Sequence, residues 1–301
     1  MDGLKITERP FDVGGTRMTF RFRESGPPGG TPVLLLHGFP ETSAMWEPAL
    51  VALGEAGYHA VAPDQRGYSP GARPDAVDAY APDELIGDVG RFLTAAGGPV
   101  HLVGHDWGAG VAWGVAMSHP EWLRSLTVLS VPHLVAFRNA FHNDPEQRSK
   151  SSYFELFRQP GVAEAAFAAS DHALLLSLWM THDGRPFDQE LLDEYVPVFT
   201  KGGLTPALNW YRAMHLGHTP DDPRVALPTL HLWGRDDPAL GRSATEATAQ
   251  FMTGPYKLVE MDAGHWLVQD DPATVTREIL AHIRSVDAAG QAPAPAVPPT
   301  G

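Results

Sequence analysis

Pro99-Val100-His101-Leu102-Val103-Gly104-His105-Asp106-Trp107-Gly108-Ala109-Gly110 is the stretch whose reading decides the fold. Val100, Leu102 and Val103 make a short apolar run that predicts a buried strand. A helix is predicted from Trp107 to near Ser118, ahead of Pro120. Asp106 sits at the turn between them, with Gly104 and Gly108 flanking it at minus two and plus two. In a strand–nucleophile–helix turn the apex residue is strained, and the two backbones pass too close for side chains at the flanking positions. The positive end of the helix points at Asp106.

An aspartate at such an apex has its own chemistry. A serine must lose a proton before it attacks, whereas a carboxylate, with a reference pKa of about 3.9, is anionic at neutral pH. It can displace a leaving group at carbon without a base, forming an ester that a second step must hydrolyse. The plainer reading is an Asp that caps the following helix. Partners elsewhere in the chain decide between the two.

Upstream, Pro32-Val33-Leu34-Leu35-Leu36 predicts a buried parallel strand that runs into His37-Gly38-Phe39-Pro40. Such a loop places backbone N–H groups at the C-terminal sheet edge, where open α/β sheets bind ligands. One oxyanion donor is then the backbone N–H of Trp107, directly after Asp106, and the other comes from this loop at Phe39. His37 reads as a structural histidine that pins the loop. Thr16 to Arg23 alternates as part of an antiparallel edge. A helix over Met45–Ala56, a strand over Ala60–Asp64 and a helix over Asp83–Ala95, bounded by Pro82 and by Gly97-Gly98, follow in order. Asp64 and Arg66 read as a local structural pair. Ser125–Val131 is a further strand. Strands alternating with helices predict an α/β architecture with a mostly parallel central sheet flanked by helices.

That pattern breaks after Pro132. From about His133 to Pro223 the chain is helical in character, over Ala163–Ala169, Ala173–Met180 and Leu191–Phe199 among others. Strand periodicity returns at Pro228–Trp233. An inserted helical cap over the active edge of the sheet follows, one that excludes water and shapes a pocket. The expected organisation is a first core part over 1–132, a helical cap over 133–225, a second core part over 226–286 and a disordered Ala/Pro/Gly-rich tail over 287–301. Within the second core part, Trp233-Gly234-Arg235-Asp236-Asp237-Pro238 leaves one strand. Tyr256–Met261 is the last strand and runs into Asp262-Ala263-Gly264-His265-Trp266. A final helix is predicted over Ala273–Ile283. The chain order is therefore Asp106, Asp237, His265: nucleophile, acid, histidine. His265 would take a proton from the attacking water, and Asp237 would hold the ring in the right tautomer. Asp236 is the competing carboxylate; the short turn after Gly234 favours Asp237.

Composition narrows the function classes. The chain has 301 residues, 43% hydrophobic and 19% charged, a net charge of −14 and no cysteine. That acidity argues against nucleic acid and anionic membranes as partners. A cysteine-free chain has no thiol nucleophile, disulfide or Cys-based zinc site, and the histidines lack metal-site spacing, so neither a metal nor a cofactor is expected. Met1-Asp2-Gly3-Leu4-Lys5 lacks the apolar core of a signal peptide and no apolar run spans a bilayer, which gives a cytoplasmic expectation. A homo-oligomer stays open.

With these residues in hand, the chain resembles the soluble epoxide hydrolases of the α/β-hydrolase superfamily, from about Phe11 to Ser285. The resemblance is carried by His37-Gly38-Phe39-Pro40, Gly104-His105-Asp106-Trp107-Gly108 and Gly264-His265-Trp266. Tyr153-Phe154-Glu155-Leu156-Phe157-Arg158-Gln159-Pro160-Gly161-Val162-Ala163-Glu164 and Asn209-Trp210-Tyr211-Arg212 resemble the family's two cap tyrosine segments. It implies the α/β-hydrolase fold, a small lipophilic epoxide and water as reactants, and Tyr153 and Tyr211 as phenol donors to the ring oxygen. Opening the ring at carbon leaves an alkoxide too basic to depart unassisted, and two phenols can hold and protonate it. Tyr195 reads as structure. Phe154 stands where some relatives carry a polar residue, and Trp179 is a candidate pocket residue.

Two alternatives remain at this level. A haloalkane dehalogenase would use the same ester and water step but needs N–H donors for halide, which Trp107, Trp179 or Trp210 could supply; Phe39 offers no polar side-chain atom. No Arg follows Asp106 to bind a carboxylate substrate, against a fluoroacetate-type enzyme. A non-catalytic binding module would keep fold and cap without the chemistry. An esterase is disfavoured, because Asp106 attacking an ester gives a labile anhydride.

Overall fold

The strands β1 (Lys5–Val13), β2 (Thr16–Ser25), β3 (Pro32–Leu36), β4 (His59–Pro63), β5 (Val100–His105), β6 (Leu123–Leu129), β7 (Thr229–Gly234) and β8 (Tyr256–Met261) form one sheet in the order β1-β2-β4-β3-β5-β6-β7-β8. The computed structural model describes residues 4–96 and 98–291. Only β2 runs antiparallel to its neighbours; from β4 to β8 every pairing is parallel. Leu34 lies opposite Leu102, and Leu102 opposite Leu126, which stacks the apolar centre of the sheet across three strands.

Strand alternation sorts side chains between two cores. Leu34, Leu36, Leu102, Leu126 and Val128 face one side, packed against α2 (Pro82–Ala96) and α3 (Trp107–Ser118) through Leu85, Val89, Val111 and Val115. Val33, Leu35, Val103 and Leu129 face the other. There they meet Leu50 of α1 (Glu47–Glu55) and Val275, Ile279 and Ile283 of the last helix, Pro272–Gln291. Covering both faces explains why these strands read as continuous apolar runs.

Between β6 and β7 lie seven α-helices: α4 (Leu134–Asn143), α5 (Pro145–Lys150), α6 (Tyr153–Phe157), α7 (Val162–Ala168), α8 (Ala173–Leu178), α9 (Gln189–Val198) and α10 (Leu204–Ala213). They are pinned to the sheet's loops by buried bonds. The Trp179 indole N–H donates to the Pro40 carbonyl at 2.9 Å, that of Trp210 to the Arg66 carbonyl at 2.9 Å, and the Tyr195 hydroxyl to Glu41 at 3.3 Å. After β7 come α11 (Arg242–Ala247), α12 (Leu267–Asp270) and α13 (Pro272–Gln291).

Several expectations need correction. Thr16–Arg23 does belong to the antiparallel edge, within β2, but the outermost strand is β1, which the sequence did not reveal. Asp64 and Arg66 do not pair. Asp64 accepts from the backbone and hydroxyl of Ser43, while Arg66 makes a two-pronged bond to Asp88 at 2.7 Å on each arm. The final helix does not stop at Ile283. It continues through Gln291, because Ala288 and Ala289 are helix formers rather than tail, so the tail expected from 287 overlaps the helix. The remainder of that tail, 292–301, and Gly97 lie outside the described residues.

Candidate active site

The turn after β5 is as tight as the glycine spacing requires. Asp106 has φ 49° and ψ −122°, a strained conformation for a residue with a Cβ. A Cβ on Gly104 would stand 2.4 Å from the Gly108 carbonyl oxygen, and one on Gly108 2.2 Å from that of Leu36. A Cβ on Gly38 would stand 2.3 Å from the Asp106 carboxylate. All three glycines are bare so that β5, α3 and the loop after β3 can meet at one point.

At that point the carboxylate is held from two sides. The backbone N–H of Phe39 donates to Asp106 Oδ1 at 2.7 Å, and His265 Nε2 lies 3.5 Å from Asp106 Oδ2. Trp107 opens α3, so its N–H is one of the donors a helix's first turn leaves free. On its other side the His265 ring reaches Asp237: Nδ1 to Oδ2 is 2.8 Å. Asp237 is fully buried, and its Oδ1 accepts from the backbone N–H groups of Ala239 and Leu240 at 2.7 and 2.9 Å. Asp236, the competing carboxylate, is exposed and lies 3.6 Å from His182. It belongs to a surface group with His182 and Asp262 whose ligand atoms lie within 4.8 Å of one another. His37 is fully buried, and its two ring nitrogens bond the Gly38 carbonyl and the Gln65 N–H at 2.9 and 3.0 Å.

The charges set the protonation states. Burial alone would raise the Asp106 carboxyl, but His265, His105 and the Phe39 N–H together hold it below the ordinary carboxylate value. Burial would likewise lower His265, yet Asp237 and Asp106 outweigh it and push the imidazole up to about 10. The resting pair is therefore a carboxylate beside an imidazolium.

Tyr153, the first residue of α6, and Tyr211 of α10 come together above this pair. Their rings are 6.2 Å apart. Tyr211 packs edge-on to both residues that flank the carboxylate, 5.6 Å from Phe39 and 5.0 Å from Trp107. Both phenols are held well above their ordinary pKa by burial first and by the Asp106 charge second, so both keep their protons. Trp107 opposes the rise at Tyr211 through a side-chain hydrogen bond.

Sequence reasoning gave Glu41 and His105 no role. Both are fully buried, and His105 Nδ1 stands 3.2 Å from Glu41. Gln269 and Tyr195 donate to Glu41 at 2.6 and 3.3 Å. His105 Nε2 and the Ser130 hydroxyl each bond the backbone carbonyl of His265 at 2.9 Å. Glu41 follows Pro40 directly, but nothing in the spacing joins it to its partners on β5, α9 and α12.

A sheet of this order, with a strained aspartate at the turn from β5 into α3, has the form of an α/β-hydrolase, and the family model for the alpha/beta hydrolase fold matches residues 31–272. The chain belongs to that family. Within it, the chain is 34% identical to "Epoxide hydrolase A" of Mycobacterium tuberculosis (strain ATCC 25618 / H37Rv), over 93% of this chain and 98% of that protein. It is 31% identical to "AB hydrolase superfamily protein YfhM" of Bacillus subtilis (strain 168), over 95% and 100%. The crystal structure of Epoxide Hydrolase A from Mycobacterium thermoresistibile superposes with a TM-score of 0.80 at 31% identity, covering 93% of this chain and 98% of that one. Among the described residues no helix is long and apolar enough to cross a membrane.

Proposed function

We propose that the protein is an epoxide hydrolase that converts a lipophilic epoxide to a vicinal diol through an ester on Asp106, with residues 133–225 acting as its cap. The observation that carries this reading is the tyrosine pair. Two protonated phenols, Tyr153 and Tyr211, face a carboxylate that already carries a histidine and an acid behind it. A nucleophile opposite proton donors suits a leaving oxygen that stays attached to the substrate.

Asp106 Oδ2 attacks a ring carbon, the C–O bond breaks, and the alkoxide takes a proton from one tyrosine, which is re-protonated at the expense of the His265 imidazolium. Esterification removes the negative charge of Asp106. One of the two carboxylates that raised His265 is gone, and the ring becomes a competent base. It takes a proton from water as that water attacks the ester carbonyl. The oxyanion forms at Oδ1, beside the Phe39 and Trp107 N–H groups. Collapse expels the diol oxygen, which receives the proton from His265. The carboxylic acid left on Asp106 then returns its own proton to His265. Water and epoxide are consumed, and the enzyme ends as it began.

The dehalogenase alternative requires free N–H donors for halide. The indoles of Trp179 and Trp210 are committed to the carbonyls of Pro40 and Arg66. The relatives' names weigh the same way.

The test is the intact mass of the His265→Gln variant after exposure to a panel of epoxides and, separately, haloalkanes. This variant forms the ester and fails to release it. A gain equal to the whole epoxide, mapped to Asp106, is the expected result. A gain of haloalkane minus HX, with none from epoxides, would reassign the enzyme. No adduct from either would favour a module that binds without reacting.

A further inference from the structure

The turn that carries Asp237 is not held by the sheet alone. Asp237 uses its own Oδ1 to fold residues 237–240, but three polar groups of the turn point away from that carboxylate. All three are met by α5. Lys150 Nζ donates to the Asp237 carbonyl, the Gln147 amide donates to the Ala239 carbonyl at 2.8 Å, and Gln147 Oε1 accepts from the Gly241 N–H at 2.7 Å. Gln147 is fully buried. Its second amide hydrogen goes to the Ser151 hydroxyl at 2.9 Å, so both ends of the side chain are in use. Ser151 is buried too, and its carbonyl accepts from the Phe154 N–H at 3.1 Å, at the first turn of the helix that begins with Tyr153.

One side chain thus bridges two parts that serve different steps. On one side is the acid that orients His265; on the other is the backbone that places Tyr153. A buried amide is costly to leave unpaired, and its planar geometry fixes the separation of the groups it joins. An aliphatic side chain of the same volume would fill the space and fix nothing.

We propose that Gln147 is a positioning residue for both halves of the reaction: through Ala239 and Gly241 it sets Asp237 against His265, and through Ser151 it sets Tyr153 over Asp106. This rests on the function proposed above for the meaning of the two steps, though not for the placement of Asp237.

The test combines step-resolved kinetics with a measurement that needs no substrate. Ester formation and ester hydrolysis are timed separately, by rapid mixing with styrene oxide, in Gln147→Leu, Ser151→Ala and Lys150→Met. The His265 imidazole is titrated by NMR in each. In Gln147→Leu both steps slow by about tenfold, the rate equivalent of one misplaced hydrogen bond. Its His265 titration moves to lower pH as Asp237 drifts. Ser151→Ala slows ester formation and leaves the titration in place. Lys150→Met lowers the titration and slows hydrolysis while ester formation keeps its rate. A purely structural glutamine would lower the melting temperature without separating the steps. Wild-type rates and titration in a folded Gln147→Leu would overturn the proposal, as would equal slowing of both steps in all three variants. Should wild-type protein form no ester with any epoxide, the proposed function fails, and a lowered His265 titration in Gln147→Leu still establishes the hold on Asp237.

Discussion

The Phe39 backbone N–H donates to Asp106 Oδ1 at 2.7 Å, so in the proposed mechanism the group that would stabilise the oxyanion already holds the attacking carboxylate. Its consequence is a division of labour between the carboxylate oxygens. In that mechanism Oδ1, bound to the amide, stays put as the ester carbonyl oxygen, while Oδ2, 3.5 Å from His265 Nε2, is the oxygen that attacks carbon.

Asp106→Ala is expected to fold and to lose turnover by about ten-thousandfold or more, because neither half-reaction exists without the carboxylate. Circular dichroism and diol formation from an epoxide check the two statements. An active variant would sink the covalent route.

Removing both phenol hydroxyls, by Tyr153→Phe with Tyr211→Phe, removes the two phenols of the inserted helices that burial and the Asp106 charge keep protonated. Ester formation should fall by at least about a thousandfold, the scale of a lost acid together with a lost oxyanion donor. Each single variant should lose less, since its partner remains. Single-turnover quench experiments give the comparison, and unchanged rates in the double variant would leave the tyrosines as packing.

A methyl group on Gly108 would lie 2.2 Å from the Leu36 carbonyl oxygen and 2.5 Å from that of His37. Both are backbone atoms of the strand and loop beside the turn and cannot rotate away. Gly108→Ala is therefore expected to cost about 2–3 kcal/mol of stability, the upper part of the usual span for forced overpacking, because the clash is with backbone. Urea denaturation measures it.

Buried histidines set the acid limit. Burial pushes His133, His231 and His282 down to about 4 each, against an ordinary value of about 6.5 in the unfolded chain. Between these values the unfolded state binds protons that the folded state refuses, so stability falls as pH drops from about 6.5 to about 4. His265 acts in the opposite direction. Raised to about 10, it contributes stability that is complete below 6.5 and is lost as pH climbs through 10. Urea midpoints across pH should show both flanks. His231→Asn, which has no proton to gain, should flatten the acid one, and an unchanged acid slope would remove His231 from the account.

Legibility followed the range of the signal. The strand–turn–helix unit around Asp106 was readable because its determinants are five consecutive residues, and the late loops were readable because Asp237 and His265 each follow an apolar strand. β1 was missed although Gly14-Gly15 marks a two-residue hairpin turn; its residues Lys5–Val13 are mostly charged, polar or Pro, as suits an exposed edge, and show no apolar alternation. Glu41 with His105, and Gln147 with Gly241, were beyond reach for another reason. Each pairing joins residues that are distant in sequence through one buried contact, and a lone polar residue gives no periodicity to detect.

The two indoles that fasten the inserted helices, Trp179 on Pro40 and Trp210 on Arg66, also bear on how this enzyme could be rebuilt. Both receive their acceptor from the main chain, so any donor sequence that offers a tryptophan at the same place could dock, whatever side chains the recipient carries. A chimera exchanging residues 133–225 with a relative would keep these rivets where the graft carries tryptophan at both places. It would be judged instead at Asp237, where the graft must bring its own amide for the turn to close upon.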